Sequence, residues 1–267
     1  MDLIEIGDLE VSRFIIGGNP FSGFSHQSPA RDEEMADYYT VDRIKRELRK
    51  AEELGVNTVI ARADRHIIRL LREYWNEGGK ISWIAQTCPE LGTVEGGVRR
   101  ALDGGASACY IHGGLMDNLL AREELDAASR GVELIKEAGL PAGVAGHNPQ
   151  VHRWAEDNLD LDFYMCSYYN PTDRSEGPEH DSEEGETFSA ADKDRMTTLI
   201  PSLSKPVVHY KVMAAGRTPP EEALREAISF MRPGDAVCVG IFAGDDPDML
   251  REDVAIFERY TLSEEEV

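Results

Sequence analysis

The chain has 267 residues, 41% of them hydrophobic, which is enough to bury the core of one large domain. Acidic residues number 50 against 28 Lys and Arg, for a formal charge of −22, so nucleic acid and anionic membrane surfaces are excluded as expected partners. Four scattered cysteines without a CxxC pair, no signal-peptide pattern and no long apolar run predict a reduced, cytoplasmic protein that spans no membrane.

The predicted elements begin with a small β-hairpin at residues 3–14, "LIEIGDLEVSRF". Eight short apolar runs follow, and we predict a strand at each, with amphipathic helical segments after them. Eight strand–helix units in one chain of this length predict an α/β fold, a (β/α)8 TIM barrel in a single domain over residues 1–267. The predicted strands are "RFIIGG" (13–18), "TVIA" (58–61), "ISWIAQ" (81–86), "SACYIH" (107–112), "PAGVAG" (141–146), "DFYMCS" (162–167), "PVVHYK" (206–211) and "AVCVGI" (236–241).

One predicted connection is much longer than the others. Residues 168–188, "YYNPTDRSEGPEHDSEEGETF", follow the sixth strand of the barrel and are strongly polar. A connection of this length is either a flexible insertion or an active-site lid, and the sequence leaves both interpretations open.

Polar residues follow the predicted strands, where the active site of such a barrel lies. His112 is the first candidate for an acid, a base or a metal ligand. Lys211 is expected to act as a base, an electrophile or a Schiff-base amine, unless it is a solvated lysine at the strand end. Asn19, Tyr169 and Asn170 are predicted to bind substrate hydroxyl groups.

The second predicted strand is followed by a dense polar cluster within "GVNTVIARADRH", residues 55–66. As functional groups, Arg62 and Arg65 would hold a substrate anion, and Asp64 would transfer a proton. As structural groups, they would form a surface ion pair, with Asp64 capping the next helix.

Three histidines close neighbouring predicted strands, namely His112, His147 and His209. Together with Cys166 or the loop residue Glu184, they could hold one divalent metal such as Zn, Mn or Fe. The chain lacks the HxH and HExxH spacings, and each histidine alone is typical of a hydrogen-bonded core residue, so a metal stays one alternative.

Several segments, in order along the chain, resemble the aldo-keto reductase superfamily. They are "LEVSRFIIGGNPFSG", "AEELGVNTVIARAD", "ACYIHGG", "PAGVAGHN", "CSYYN" and "HYKVMAAGR". The resemblance implies a TIM barrel whose catalytic tetrad is Asp, Tyr, Lys and His. Only the histidine transfers, to His112. The other three positions fall on Ile60, near Arg65, and on Gln86 or Thr87, so the family's proton donor and its lysine are missing.

The resemblance also bears on the cofactor of that family, NADP. Asn148 falls on the carboxamide-binding position and Tyr210 on the nicotinamide-stacking position, while Arg217 is the remaining basic candidate. The loop after the eighth strand carries three carboxylates, of Asp245, Asp246 and Asp248, where the phosphates of the dinucleotide would lie. Like charges about 4–6 Å apart repel by several kcal/mol at an effective dielectric of about 20, so we expect NADP to bind weakly or not at all.

The sequence therefore predicts an enzyme that acts on a small hydroxylated or carboxylated metabolite by histidine-centred acid–base or metal-assisted chemistry, as an isomerase, lyase or hydrolase. One alternative is an NAD(P)H-dependent oxidoreductase with a remodelled proton donor. A second alternative is a small-ligand-binding barrel without catalytic activity. The oligomeric state cannot be derived from the sequence.

Overall fold

The computed structural model of the protein describes residues 1–178 and 187–265, without the side chains of residues 263–265. Eight parallel strands close into a barrel, in which each strand pairs with its neighbours in chain order and the last strand pairs with the first. All eight predicted strands are confirmed, and so is the TIM-barrel fold. The barrel strands are β3 (Phe14–Gly17), β4 (Thr58–Arg62), β5 (Ser82–Gln86), β6 (Ala108–Ile111), β7 (Ala142–Gly146), β8 (Phe163–Ser167), β9 (Val207–Tyr210) and β10 (Ala236–Gly240).

Helices surround the barrel, and most begin at a residue whose side chain accepts a hydrogen bond from the first turn, such as Thr40, Asp64 and Thr93. The helices are α1 (Pro29–Tyr38), α2 (Val41–Glu53), α3 (Arg65–Asn76), α4 (Val94–Gly104), α5 (Gly113–Ala121), α6 (Ala127–Glu137), α7 (Pro149–Asn158), α8 (Ala190–Leu199), α9 (Pro220–Phe230) and α10 (Met249–Glu265). None of the described helices is long and apolar enough to cross a lipid bilayer.

Successive residues of each barrel strand face opposite sides of the sheet, which divides the core into two clusters. Ile60, Tyr110 and Val208 belong to the cluster inside the barrel. Their chain neighbours Ala61 and Ile111 belong to the cluster between the barrel and the helices. The parity of a residue along its strand therefore decides whether its side chain can reach the barrel axis.

The predicted N-terminal hairpin is formed by β1 (Leu3–Ile6) and β2 (Leu9–Ser12). Ile6 and Val11 are fully buried and pack with the side chains inside the barrel. The turn residue Gly7 lies close to Pro141, directly before β7, so the hairpin covers the amino-terminal end of the barrel. The carboxyl ends of the strands lie at the opposite end.

The structure differs from the sequence expectation at one long helical segment. The sequence "DNLLAREELDAASRGVELIKEAGL" (117–140) predicts a single helical segment, but the chain breaks between α5 and α6, and Glu123 adopts a left-handed φ of 57°. The reason is packing, because α5 lies on β7 whereas α6 packs on β6 and α4. A single straight helix could not cover both surfaces.

Candidate active site

A cavity of about 310 Å³ opens at the carboxyl ends of the barrel strands. It lies where active sites of TIM barrels occur, and the inward-facing residues at the strand ends reach it. The residues that line it are Asn19, Phe24, His26, Arg62, Gln86, Pro89, Glu90, Tyr110, His112, Gly113, Ala145, His147, Arg174, Tyr210 and Lys211. Six of the predicted site residues are thus brought together, namely Asn19, Arg62, His112, His147, Tyr210 and Lys211.

A buried hydrogen-bonded chain forms one wall of the cavity. Nδ1 of His147 lies 2.6 Å from Oδ2 of Asp117, and the same carboxylate accepts the backbone N–H of His147 at 3.1 Å. The hydroxyl of Tyr210 lies 3.4 Å from Nε2 of His147. Because the carboxylate fixes the proton on Nδ1, Nε2 is left as the basic nitrogen on the cavity side. Burial lowers the pKa of His147, while Asp117 opposes that shift, so the ring is neutral at pH 7.

His112 presents the opposite tautomer. Its Nδ1 accepts the backbone N–H of Leu115 at 3.4 Å, so the imidazole caps the amino terminus of α5. The neutral ring therefore carries its proton on Nε2 and offers a donor to the cavity. Burial lowers the pKa of His112 well below its ordinary value, and the positive charge of Arg174 lowers it further. The cavity thus holds one imidazole that donates and one that accepts.

A second group of polar side chains comes from the loops after β3 and β9. Nζ of Lys211 lies 3.0 Å from Nε2 of His26, and Nδ2 of Asn19 lies 3.3 Å from the same ring nitrogen. Both Lys211 and His26 have a left-handed φ of 58°. The lysine predicted to act in catalysis is therefore held against a histidine.

Arg62 reaches the cavity but already has carboxylate partners. It pairs with Glu90, and its Nε lies 3.6 Å from Oδ2 of Asp64. Asp64 in turn caps α3 by accepting the N–H of Ile67 at 2.8 Å. The ion pair and the helix cap of the structural interpretation are both formed, and the exposed Arg65 lies in the first turn of α3, away from the cavity lining.

The floor of the cavity is a tyrosine–amide pair inside the barrel. The hydroxyl of Tyr110 donates to Oε1 of Gln86 at 2.8 Å. Burial raises the pKa of Tyr110 well above its ordinary value, so the phenol stays protonated. Gln86 stands at one of the two positions that the resemblance assigned to the family's lysine, and it binds a tyrosine that the sequence analysis did not single out.

The predicted cluster of three histidines does not form, and that prediction is wrong. His209 faces outward from β9, is fully buried, and lies with Nδ1 3.0 Å from the Tyr168 hydroxyl and Nε2 3.4 Å from Oδ2 of Asp235. The physical reason is strand parity, because Val208 and Tyr210 face inward on either side of it.

The other metal-ligand candidates do not complete a site. Cys166 is fully buried in the cluster between barrel and helices, and Glu184 lies outside the described residues. Within residues 1–178 and 187–265, no group of three His, Cys, Asp or Glu side chains is placed to hold a metal ion.

Three further predicted residues serve other contacts. Tyr169 is buried and packs edge-on against Phe188, with 5.3 Å between the ring centroids. The backbone N–H of Asn170 donates to Asp192 at 3.4 Å. Asn148 caps α7 by accepting the N–H of Gln150 at 3.0 Å. None of the three is among the residues that line the cavity.

A larger groove of about 580 Å³ adjoins the cavity and shares Asn19, Tyr110 and Tyr210 with it. Of the residues assigned to a dinucleotide, Tyr210 and Arg217 line this groove. One of the three carboxylates expected to repel phosphate is neutralised, because Asp245 pairs with Arg31.

A buried carboxyl group, of Asp253, also lines this groove. Asp253 is 3% exposed. Burial, together with Glu252 and Asp246, raises the pKa of Asp253 to about 7. The residues present thus fit a dinucleotide only in part, since Asn148 is used as a helix cap and Asp253 offers a carboxyl group rather than a cation.

The sequence analysis missed Asp117 and Arg174. Asp117 lies in α5, five residues after His112, where nothing in its local sequence marks it as a partner of His147. Arg174 lies in the long connection after β8, is 6% exposed and lines the cavity. Its only sequence signal was its position in a connection of unusual length.

Known proteins resemble this chain in structure and have low sequence identity to it. No family model and no curated protein matches the chain. A candidate aldo-keto reductase from Pseudomonas aeruginosa is similar in structure, with 17% identity, a TM-score of 0.64 and coverage of 98% of this chain and 95% of that one. An aldo-keto reductase from Bacillus halodurans, solved in its holo form, is 12% identical with a TM-score of 0.59 over 97% and 96% of the two chains.

The structural likeness also extends beyond reductases. A truncated 3-deoxy-D-arabino-heptulosonate 7-phosphate synthase from Thermotoga maritima is 11% identical and has a TM-score of 0.59 over 98% of this chain and 92% of that one. The predicted resemblance to the aldo-keto reductase superfamily is therefore confirmed at the level of the fold. Structural similarity at such low sequence identity shows only the barrel architecture. The chemistry therefore follows from the residues of the site.

Proposed function

We propose that the protein is an enzyme that moves a proton on a small metabolite bearing a carbonyl or hydroxyl group, with His147 as the base and His112 as the hydrogen-bond donor. The observation that carries this proposal is the 2.6 Å contact between His147 Nδ1 and Asp117, which leaves Nε2 of His147 basic at the cavity wall. The barrel supplies a rigid frame for both imidazoles.

The two imidazoles are complementary in proton transfer beside a carbonyl. A neutral His112 donates its Nε2–H to the oxygen on which negative charge develops, while His147 accepts the proton from carbon or from a hydroxyl group. Neutral imidazoles suit this division, since both pKa values are lowered. The reaction class supported is isomerisation, epimerisation or elimination.

The chemistry of the cavity also points to the kind of substrate. Lys211 and Arg174 line it together with the amide of Asn19. Cations and an amide suit a substrate with a carboxylate or phosphate group and with hydroxyl groups. The volume of about 310 Å³ fits a molecule of metabolite size.

This proposal is tested by proton exchange, which needs no knowledge of the product. The protein is incubated in D2O with a panel of small hydroxy and keto acids and sugar phosphates, and the loss of the carbon-bound proton is followed by NMR. We expect exchange with at least one compound for the wild type, and for a His66→Gln control, because His66 is exposed on α3 outside the cavity. Equal exchange by wild type and by Asp117→Asn would contradict the proposal.

A second candidate function is supported by the groove of about 580 Å³ beside the cavity. A dinucleotide held there would supply a hydride, with Tyr210 and Arg217 as the residues that hold it and His112 or Tyr110 as the protein's proton donor. NADPH titration followed by fluorescence separates the two candidates. Micromolar binding together with oxidation of NADPH by a carbonyl compound favours the reductase, whereas proton exchange without NADPH favours the first proposal.

A further inference from the structure

Lys211 and His26 both line the cavity, and each has a backbone conformation that is unusual for its residue type. Lys211 and His26 each have a φ of 58°, in the left-handed region that residues with a Cβ atom rarely adopt. Their side chains meet at 3.0 Å, between Nζ and Nε2, although the residues are 185 positions apart in the chain. Strained backbones are concentrated at functional sites, where the surrounding structure holds them in place.

The contact between these two residues is a contact between two bases. A hydrogen bond between an amine and Nε2 needs one proton, which either the lysine or the histidine can carry. When Nε2 of His26 holds the proton, Lys211 is a neutral amine. The amide Nδ2 of Asn19 lies 3.3 Å from the same ring nitrogen and can donate to it only while Nε2 is unprotonated, so this contact favours the state in which His26 can accept the amine proton.

The amine lies among the groups that a carbonyl reaction needs. Lys211 lines the same cavity as His112 and His147. A neutral His112 can donate a hydrogen bond to a carbonyl oxygen while the amine approaches the carbon.

We propose that Lys211 is a nucleophile that captures the carbonyl carbon of the substrate as an imine, with His26 as the acceptor of the amine proton. His26 first takes one proton from the Nζ ammonium group, and the Nζ electron pair forms a bond to the carbonyl carbon as the C–O π bond breaks. The oxygen then takes up two protons, one returned by His26 and one from Nζ, and leaves as water when the remaining C–O bond breaks. The product is a protonated imine, whose positive charge acidifies the neighbouring carbon–hydrogen bond that His147 would then deprotonate. This step deepens the proposed function, on which its last part rests.

The experiment traps the imine without requiring turnover. The full chain is incubated with glyoxylate, a small aldehyde with a carboxylate, and sodium cyanoborohydride, which delivers hydride to the imine carbon and leaves a stable secondary amine. Peptide mapping by mass spectrometry then measures the carboxymethyl group on each lysine. The exposed Lys80 is the internal reference for an ordinary lysine.

We expect Lys211 to be modified about tenfold faster than Lys80, although Lys211 is less exposed. Lys211→Arg keeps the charge and should abolish the fast site while Lys80 reacts as before. Equal or slower modification of Lys211 relative to Lys80 would overturn the proposal and would identify this side chain as a simple cation.

The role of His26 has its own matched variant. His26→Asn keeps a residue type that tolerates the left-handed backbone but removes the base. The rate ratio of Lys211 to Lys80 should fall to about one, and an unchanged ratio would exclude His26 as the proton acceptor. His147→Gln should leave trapping intact and abolish proton exchange, so failure of the imine proposal and failure of the proposed function give different results.

Discussion

Among the residues that the structure describes, two buried histidine–aspartate pairs face opposite sides of the same barrel. In the pair at the cavity, His147 binds Asp117 through Nδ1 and points Nε2 towards Tyr210 and the cavity. In the pair behind the barrel, His209 binds Asp235 through Nε2 and Tyr168 through Nδ1. His147 of the first pair lines a cavity of about 310 Å³, whereas both members of the second pair are 0% exposed.

The difference shows that residue type does not decide whether a buried imidazole can do chemistry. Both ring nitrogens of His209 contact buried side chains. Asp235 is also held by Arg232, whose Nη2 lies 2.9 Å from Oδ1. His147 uses one nitrogen for orientation, and its other nitrogen faces the Tyr210 hydroxyl at the cavity wall, where a ligand can reach it. We therefore expect the first pair to matter for activity and the second for stability.

The largest effect on activity is expected at the pair of His147 and Asp117, which lies at the cavity and is called the open pair below. His147→Gln should reduce the rate of proton exchange by about 10²–10⁴-fold, the usual contribution of a general base. The loss of unfolding free energy should be smaller than for the same change at His209, because water in the cavity can reach the groups that lose their partner. NMR exchange rates and urea unfolding measure the two quantities on one preparation. Retention of more than about a tenth of the rate would remove His147 from the role of base.

The pair of His209 and Asp235 is closed to solvent and is called the sealed pair below. The matched change there should lower stability and leave proton exchange nearly unchanged. His209→Gln removes a charge-assisted hydrogen bond and leaves the buried hydroxyl of Tyr168 without its partner, so the free energy of unfolding should fall by about 2–3 kcal/mol. Proton exchange by the folded protein should stay within about twofold of the wild type. An exchange defect as large as that of His147→Gln would show that the two pairs are not functionally distinct.

The sealed pair also predicts a pH dependence of stability. Burial alone would raise the pKa of Asp235, but hydrogen bonds from His209 and Arg232 outweigh it and lower the pKa from 3.8 to about 2. The folded state therefore binds its proton less readily than the unfolded state, so this group stabilises the protein above pH 3.8 and the contribution is lost as the pH falls through about 2.

This contribution amounts to about 2 kcal/mol at neutral pH. Asp235→Asn cannot ionise and should lack it, so the difference in unfolding free energy between wild type and variant should shrink by about that amount between roughly pH 6 and pH 2. Urea unfolding at several pH values measures it. A difference that is independent of pH would mean that the carboxylate is not stabilised in the folded state.

The smallest effects are expected at the two tyrosines that meet the histidines. Tyr168→Phe should cost about 1 kcal/mol of unfolding free energy, because it removes one buried hydrogen bond, and should leave exchange unchanged. Tyr210→Phe should cost less stability and slow proton exchange by about tenfold, because Tyr210 faces the cavity beside the base. Thermal unfolding and exchange rates compare the two, and interchanged results would reverse the assignment of the two sides.

The fold could be predicted because its signals are local and repeated. Apolar runs such as "TVIA" at β4 occur eight times in order, and most of them are followed by a capped helix, so one ambiguous element does not change the count. The break between α5 and α6 could not be derived, because it depends on which strand each half covers.

The site was predictable only as far as strand parity was applied. His112 and His147 continue the inward-facing rows of Tyr110 and Ala145, whereas His209 lies between the inward-facing Val208 and Tyr210. Counting alternate positions would have separated His209 from the other two. Asp117 could not be found this way, because its role arises from the packing of α5 on β7.

The imidazole cap of α5 links the state of one ring to the geometry of the other. A protonated His112 could no longer accept the Leu115 N–H, and its charge would oppose the positive end of the helix dipole. The same short helix carries Asp117, which orients His147. Acidification would thus loosen the first turn of α5 and release the base at the same time, so inactivation in acid should precede global unfolding and should reverse on neutralisation.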